Sequence, residues 1–174
     1  MPTEQQKTLD AIRTAIKMEI DGKEYYLNSS QESSSKMGEN LLRSMSKAED
    51  AHRLRFIEIY ESIRDKNAWP KKPLKPAAKS LNTIFSKATK SVAKTQTIEA
   101  ELDAVKVAMK MENKTFDFYN AQAEKAEGEA EKGFYQAIAA EEREHHMVLE
   151  DYYEFLKDPA GWYTKIEHHS LDGG

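Results

Sequence analysis

The sequence predicts an all-α fold, a bundle of four long helices arranged as two antiparallel hairpins joined by a long crossover. Three observations predict it. Apolar residues recur at steps of three and four along four separate stretches, the period of a helix with one buried face. The two halves repeat the same chemistry at a constant offset of 93 residues: Glu19, Glu49 and His52 match Glu112, Glu142 and His145. Around the first pair, Ala15, Lys17, Met18 and Tyr26 recur as Ala108, Lys110, Met111 and Tyr119. Finally, turn-forming residues fall midway between the acidic positions that each hairpin must bring level.

In the first helix, Ile12, Ile16, Glu19 and Tyr26 share one face. For Glu19 to meet Glu49, the chain must turn near residue 34, where Ser33-Ser34-Ser35 stands, with Gly38 following as part of the break. The second helix carries Leu42, Met45, Glu49, His52, Phe56, Ile59 and Ile63 in an unbroken stripe. Trp69-Pro70, with Pro73 and Pro76 behind it, is expected to end it. Residues 66–98 then cross to the second hairpin; an extended chain covers roughly 3.3 Å per residue, so this segment can traverse a bundle. Within it, Leu81, Ile84, Phe85, Ala88 and Val92 predict a short amphipathic helix lying outside. The third stripe is looser, with Val105, Ala108, Glu112, Phe116 and Tyr119. Its turn belongs near residue 127, beside Gly128, and the fourth helix repeats the second with Tyr135, Ile138, Glu142, His145, Leu149, Tyr152 and Leu156. Asp158-Pro159 closes it, leaving a tail with Trp162 and Tyr163. The expected organisation is one domain over 1–174: hairpin 8–65, crossover 66–98, hairpin 99–156 and C-terminal tail 157–174.

Composition limits the chemistry. With 39% hydrophobic and 32% charged residues the chain can build a core and keep a solvated surface. No run approaches the 18 or so apolar residues of a membrane span, and residues 1–10 lack the apolar core of a signal peptide, so a cytoplasmic protein is expected. The absence of Cys rules out disulfides, thiolate zinc and cysteine-ligated iron–sulfur centres in this chain. The net charge of −4 conceals an asymmetry, since residues 66–98 hold eight Lys and no Asp or Glu. Such a strip can meet nucleic acid, anionic lipid or an acidic partner, but its plainest reading is that it lies across the protein's own acidic helices. No phosphate loop, nucleophile elbow or array of base-stacking aromatics is present, and no nucleic-acid partner is expected.

Each half supplies one Glu on a first helix and a Glu-x-x-His on a second. A Glu-x-x-His pair projects both side chains from one helical face about a turn apart. Buried carboxylates are costly unless paired or bound to metal, and four of them balance two divalent ions. Four Glu and two His on four helices are what a dinuclear site inside a bundle needs. The alternative is a set of surface Glu–His ion pairs on a Glu-rich chain. Two copies on apolar stripes, each with a Glu 30 residues upstream, argue against it. Glu24, Glu141, Glu144 and His146 flank these positions, but their spacing turns them off the stripe, toward solvent or a supporting role. The adjacent His168 and His169 lack helical chelate spacing and are expected to be solvated.

The halves Ala-Ile-Lys-Met-Glu…Tyr…Ala-Glu-Asp-Ala-His and Ala-Met-Lys-Met-Glu…Tyr…Glu-Glu-Arg-Glu-His resemble the rubrerythrin branch of the ferritin-like superfamily, over about residues 8–65 and 99–156. The resemblance implies a ferritin-like bundle holding two iron ions on Glu19, Glu49, His52, Glu112, Glu142 and His145. Zinc or manganese is a possible occupant as purified, since carboxylate–imidazole sites accept several first-row ions. It also implies that Tyr26 and Tyr119 support the ligands from behind; read from the residues alone they are equally ordinary core aromatics. Rubrerythrin proper carries a cysteine-ligated rubredoxin domain and an extra Glu three residues after the third-helix ligand. This chain has no Cys, and Thr115 stands at that position.

The function this implies is a non-haem di-iron oxidoreductase that reduces hydrogen peroxide or oxygen in oxidative-stress defence. Its electrons would come from a separate rubredoxin-like donor, which the lysine-rich strip could guide. A homodimer is expected, both by resemblance and because two-fold dimers are the commonest soluble oligomers, with the crossover and the aromatic tail as its surfaces. Ferrous oxidation for iron handling, a di-iron hydroxylase and a non-enzymatic helical binding module are the competing readings.

Overall fold

The computed structural model describes residues 3–70, 98–162 and 164. Four long helices appear in order: α1 (Glu4–Gln31), α2 (Lys36–Lys66), α3 (Ile98–Lys125) and α4 (Glu129–Lys157). α1 packs along α2, α3 packs along α4, and the hairpins meet where α1 faces α3. This is the all-α, ferritin-like bundle that the repeat predicts. The expected crossover helix, the role of the lysine-rich strip, Tyr163 and the tail histidines His168 and His169 lie outside the described residues.

Local chemistry explains the helix ends. The Thr3 side chain accepts from the Gln6 amide to open α1, and Glu4 sits in its first turn, where the helix dipole favours a negative charge. Ser35 caps α2 in the same way, accepting from the Gly38 amide at 3.0 Å. The turn thus falls at residues 32–35, as expected. The second turn leads to Gly128, an N-cap without a side chain. At the far end of α2 the structure adds a stop signal that the sequence reading does not name. The helix stops at Lys66 because Asn67 takes a left-handed conformation (φ 50°) and turns its N–H back to the Ile63 carbonyl. Asn tolerates that conformation, so the chain leaves the helix three residues before Pro70.

Gly38 also departs from expectation: it lies inside α2, buried, and breaks nothing. Its lack of a side chain admits a knot of polar groups. The Glu101 carboxylate on α3 accepts from Ser33 Oγ (2.6 Å), the Ser34 amide (3.0 Å), Ser34 Oγ and Tyr152 Oη (2.5 Å). This buried carboxylate ties the α1–α2 turn to the other hairpin. A Cβ on residue 38 would overlap the Tyr152 and Ser33 hydroxyls and stand 2.7 Å from Glu101 Oε1. The overlap should cost about 1–3 kcal/mol against a helix-propensity gain of about 1 kcal/mol, so Gly38→Ala should lower stability by up to about 2 kcal/mol. A urea midpoint equal to or above that of the unmodified protein would show that the packing there is looser than described.

The apolar core is split in two. One cluster, with Ile12, Phe56, Ile59, Tyr119, Tyr135 and Ile138, fills the end of the bundle near the start of α1. The other, with Tyr26, Met37, Leu41, Met45, Leu149 and Tyr152, fills the opposite end. Between them lies a buried layer of carboxylates and imidazoles. The repeat also extends past the helices. Trp69 and Trp162 share the 93-residue offset, Trp69 lying edge-on to Phe134 and Trp162 edge-on to Phe155, each at 5.6 Å between ring centroids.

Candidate metal centre

The buried layer consists of Glu19 on α1, Glu49 and His52 on α2, Glu112 on α3, and Glu142 and His145 on α4, each at most 4% exposed. Their donor atoms fall into two groups. Glu19, Glu49, His52 and Glu142 bring one atom each to within 4.8 Å of one another, and so do Glu49, Glu112, Glu142 and His145. Glu49 and Glu142 belong to both. The structure thus brings together all six residues that the repeat singles out, with two carboxylates placed to serve two positions at once.

Both imidazoles turn Nδ1 into the centre. His52 Nδ1 lies 3.4 Å from Glu19 Oε2 and 3.2 Å from Glu142 Oε1. His145 Nδ1 lies 3.0 Å from Glu49 Oε1, 3.3 Å from Glu142 Oε2 and 3.6 Å from Glu112 Oε2. None of these atoms has a hydrogen-bond partner, although all are buried. Polar atoms removed from water and left unpaired are expensive, and so many facing one small volume fit a cation cage. All are carboxylate oxygens or imidazole nitrogens, the donor set suited to first-row divalent ions. The residues present therefore fit a dinuclear metal group.

Electrostatics agree. Burial, reinforced by Glu49 and Glu142, pushes the Glu19 carboxyl well above its usual range. Burial and the neighbouring Glu142 raise Glu112 to about 7. Burial alone would lower both imidazoles, but Glu19 and Glu142 at His52, and Glu112 at His145, outweigh it and hold them well above the ordinary histidine value. Burial and Glu49 act upward on Glu142, yet His52 and His145 prevail and keep it low. Without cations, protons must supply the missing positive charge.

Two tyrosines hold the outer oxygens. Tyr26 Oη on α1 donates to Glu112 Oε1 on α3, and Tyr119 Oη on α3 donates to Glu19 Oε1 on α1. Each reaches across to the other hairpin, so each first-helix Glu keeps its second oxygen for the cage. Burial, with the adjoining carboxylate, raises both phenols, which stay protonated donors. Gly22 matters by its smallness: an added Cβ would stand 3.0 Å from Glu49 Oε2, so bare backbone lets that shared carboxylate lie against α1. Its repeat counterpart Thr115 turns its hydroxyl back to the Met111 carbonyl at 2.7 Å and offers the cage no oxygen.

Of the flanking residues, Glu24 and Glu144 are exposed. His146 is not solvated: it is 8% exposed, with Nδ1 3.6 Å from Glu150 Oε1. Glu141 lies off its own helix's stripe yet reaches His52 Nε2 on α2 at 2.8 Å. One residue along a helix is a rotation of about 100°, so the α4 pattern alone points Glu141 away from the centre. Only the neighbouring helix brings it in. Among the described residues, no helix is long and apolar enough to cross a membrane.

Comparison with known proteins agrees with the geometry. The rubrerythrin family model matches residues 10–153, a span that includes every residue of the layer. No curated protein and no solved structure matches the chain.

Proposed function

The chain belongs to the rubrerythrin family, and from that premise we propose a di-iron oxidoreductase that reduces hydrogen peroxide or oxygen, with electrons from a separate donor protein. The observation that carries the reading is the pair of buried donor groups sharing Glu49 and Glu142. Two adjacent iron ions would supply the two electrons that cleavage of an O–O bond requires.

The chain's residues do the rest. Glu49 and Glu142 would be shared by the two ions, and His52 and His145 would each hold one through Nδ1, their rings stacked at 5.6 Å. Tyr26 and Tyr119 fix Glu112 and Glu19. The apolar clusters on either side keep bulk water from the layer and strengthen each electrostatic contact within it. Reducing peroxide to two waters consumes two electrons and two protons. The electrons require a partner, because this chain has no Cys to hold a rubredoxin-type centre. The same reading includes a cytoplasmic homodimer, a rubredoxin-like donor and a role in oxidative-stress defence.

The test is to load the protein with ferrous iron without air and add one equivalent of hydrogen peroxide. Oxidation much faster than for free ferrous iron, reversed over many turnovers by a rubredoxin-type donor, is the expected result. A slow single oxidation followed by release of iron would replace this reading with iron handling.

A further inference from the structure

The repeat makes the two metal positions alike in nearly every respect: a Glu, a tyrosine behind it, two shared carboxylates and a histidine. The outer nitrogens of the histidines break the likeness. His52 Nε2 is held by Glu141 Oε2 at 2.8 Å, and the Glu141 side chain is 18% exposed. Counting back 93 residues from Glu141 gives Ala48, which has no carboxylate to offer His145. Among the described residues, no side chain or carbonyl hydrogen-bonds His145 Nε2.

A carboxylate on the far nitrogen has two effects on an imidazole ligand. It keeps the proton on Nε2, so the lone pair faces the cage from Nδ1, and it raises the basicity of that lone pair. It also fixes the ring's orientation before metal arrives, so less ordering remains to be done on binding. His52 has all of this, and among the described residues nothing gives it to His145. The other supports do not offset the difference, because Tyr26 and Tyr119 serve the two first-helix carboxylates equally.

Resting on the metal reading above, we propose that the two positions are inequivalent, with Glu141 as the positioning residue that sets the difference. The position formed with Glu19 and His52 fills first and holds its ion tightly. The position formed with Glu112 and His145 fills last and exchanges its ion.

The probe is cobalt(II), titrated without air into the full-length metal-free protein and followed by visible absorption and by paramagnetically shifted proton NMR. The unmodified protein should take up cobalt in two resolved steps. With the first step, one shifted and slowly exchanging imidazole N–H should appear, that of His52 shielded by Glu141. Glu141→Ala should weaken the first step by about 10–100-fold, merging it with the second and erasing the slow N–H signal. Glu141→Gln keeps an acceptor but no charge, and should recover the slow N–H signal with part of the affinity. Ala48→Glu, which builds the missing carboxylate beside His145, should tighten the second step and add a second slow N–H signal. Two equal steps in the unmodified protein would overturn the proposal, as would an unchanged first step in a folded Glu141→Ala variant. Failure to bind any cobalt would overturn the metal centre itself, and this proposal with it.

Discussion

Glu142→Ala will abolish uptake of both ions, whereas Glu19→Ala will leave one. The difference follows from how the donor groups overlap: Glu142 belongs to both and Glu19 to one. Removing Glu142 strips each position of an oxygen and of negative charge, and leaves His52 and His145 without the carboxylate they share. Removing Glu19 opens only the position capped by His52. Metal content per chain after equilibration with excess manganese(II) should therefore fall from two to none in Glu142→Ala and from two to one in Glu19→Ala. Far-UV circular dichroism should stay near that of the unmodified protein in both, because the apolar clusters above and below the layer are untouched. Full stoichiometry in a folded Glu142→Ala variant would remove the case for a shared carboxylate and for the dinuclear centre with it.

The parts of this site that the sequence disclosed are those whose signal lies along a single helix or in the repeat. Glu49, His52, Glu142 and His145 sit on apolar stripes where a charged residue needs a reason, and the 93-residue offset doubles the evidence. The turns were legible because a ligand on each side of a hairpin must come level. What escaped depends on packing between helices. Glu141 acts on a histidine of another helix, and Glu101 binds a turn 67 residues earlier in the chain. Gly38 reads as a helix breaker, yet its meaning is the absence of a Cβ beside Tyr152, known only once α4 is placed against α2. The stop at Asn67 is hidden in the sequence because Pro70 is the louder signal. Neither Thr115 nor Gly22 bears an oxygen for the cage, which leaves the two halves nearly symmetric apart from Glu141.

The stability gained from metal will grow with pH, and the sign can be worked out from the metal-free site. Glu112 is raised to about 7, and Glu19 is raised well above the usual carboxylate range, both chiefly by burial. A carboxyl raised on folding binds more protons in the native than in the unfolded state. Stability from that proton is fully present below the unfolded value near 4.5 and is lost as pH rises, for Glu112 through about 7. His52 and His145, raised by their carboxylate neighbours against the effect of burial, act in the same direction at higher pH. Glu142, held low by the two imidazoles, contributes stability that is lost only as pH falls below the ordinary carboxylate range. The metal-free protein therefore weakens from mildly acidic to mildly basic pH. The loaded protein moves the other way, because each ion must displace these same protons and competes better when they are scarce. An ion present at 100 times its Kd adds about 2.7 kcal/mol, so two add about 5 kcal/mol. For a chain of this size, that raises Tm by about 10–20 °C. Paired thermal scans with and without manganese(II) should show a gap of this order at pH 8 that shrinks to less than half at pH 5.5. A gap that stays constant or widens on acidification would mean that protons do not hold the place of the ions, and that the orphaned oxygens of Glu19, Glu49, Glu112 and Glu142 face one another for some other reason.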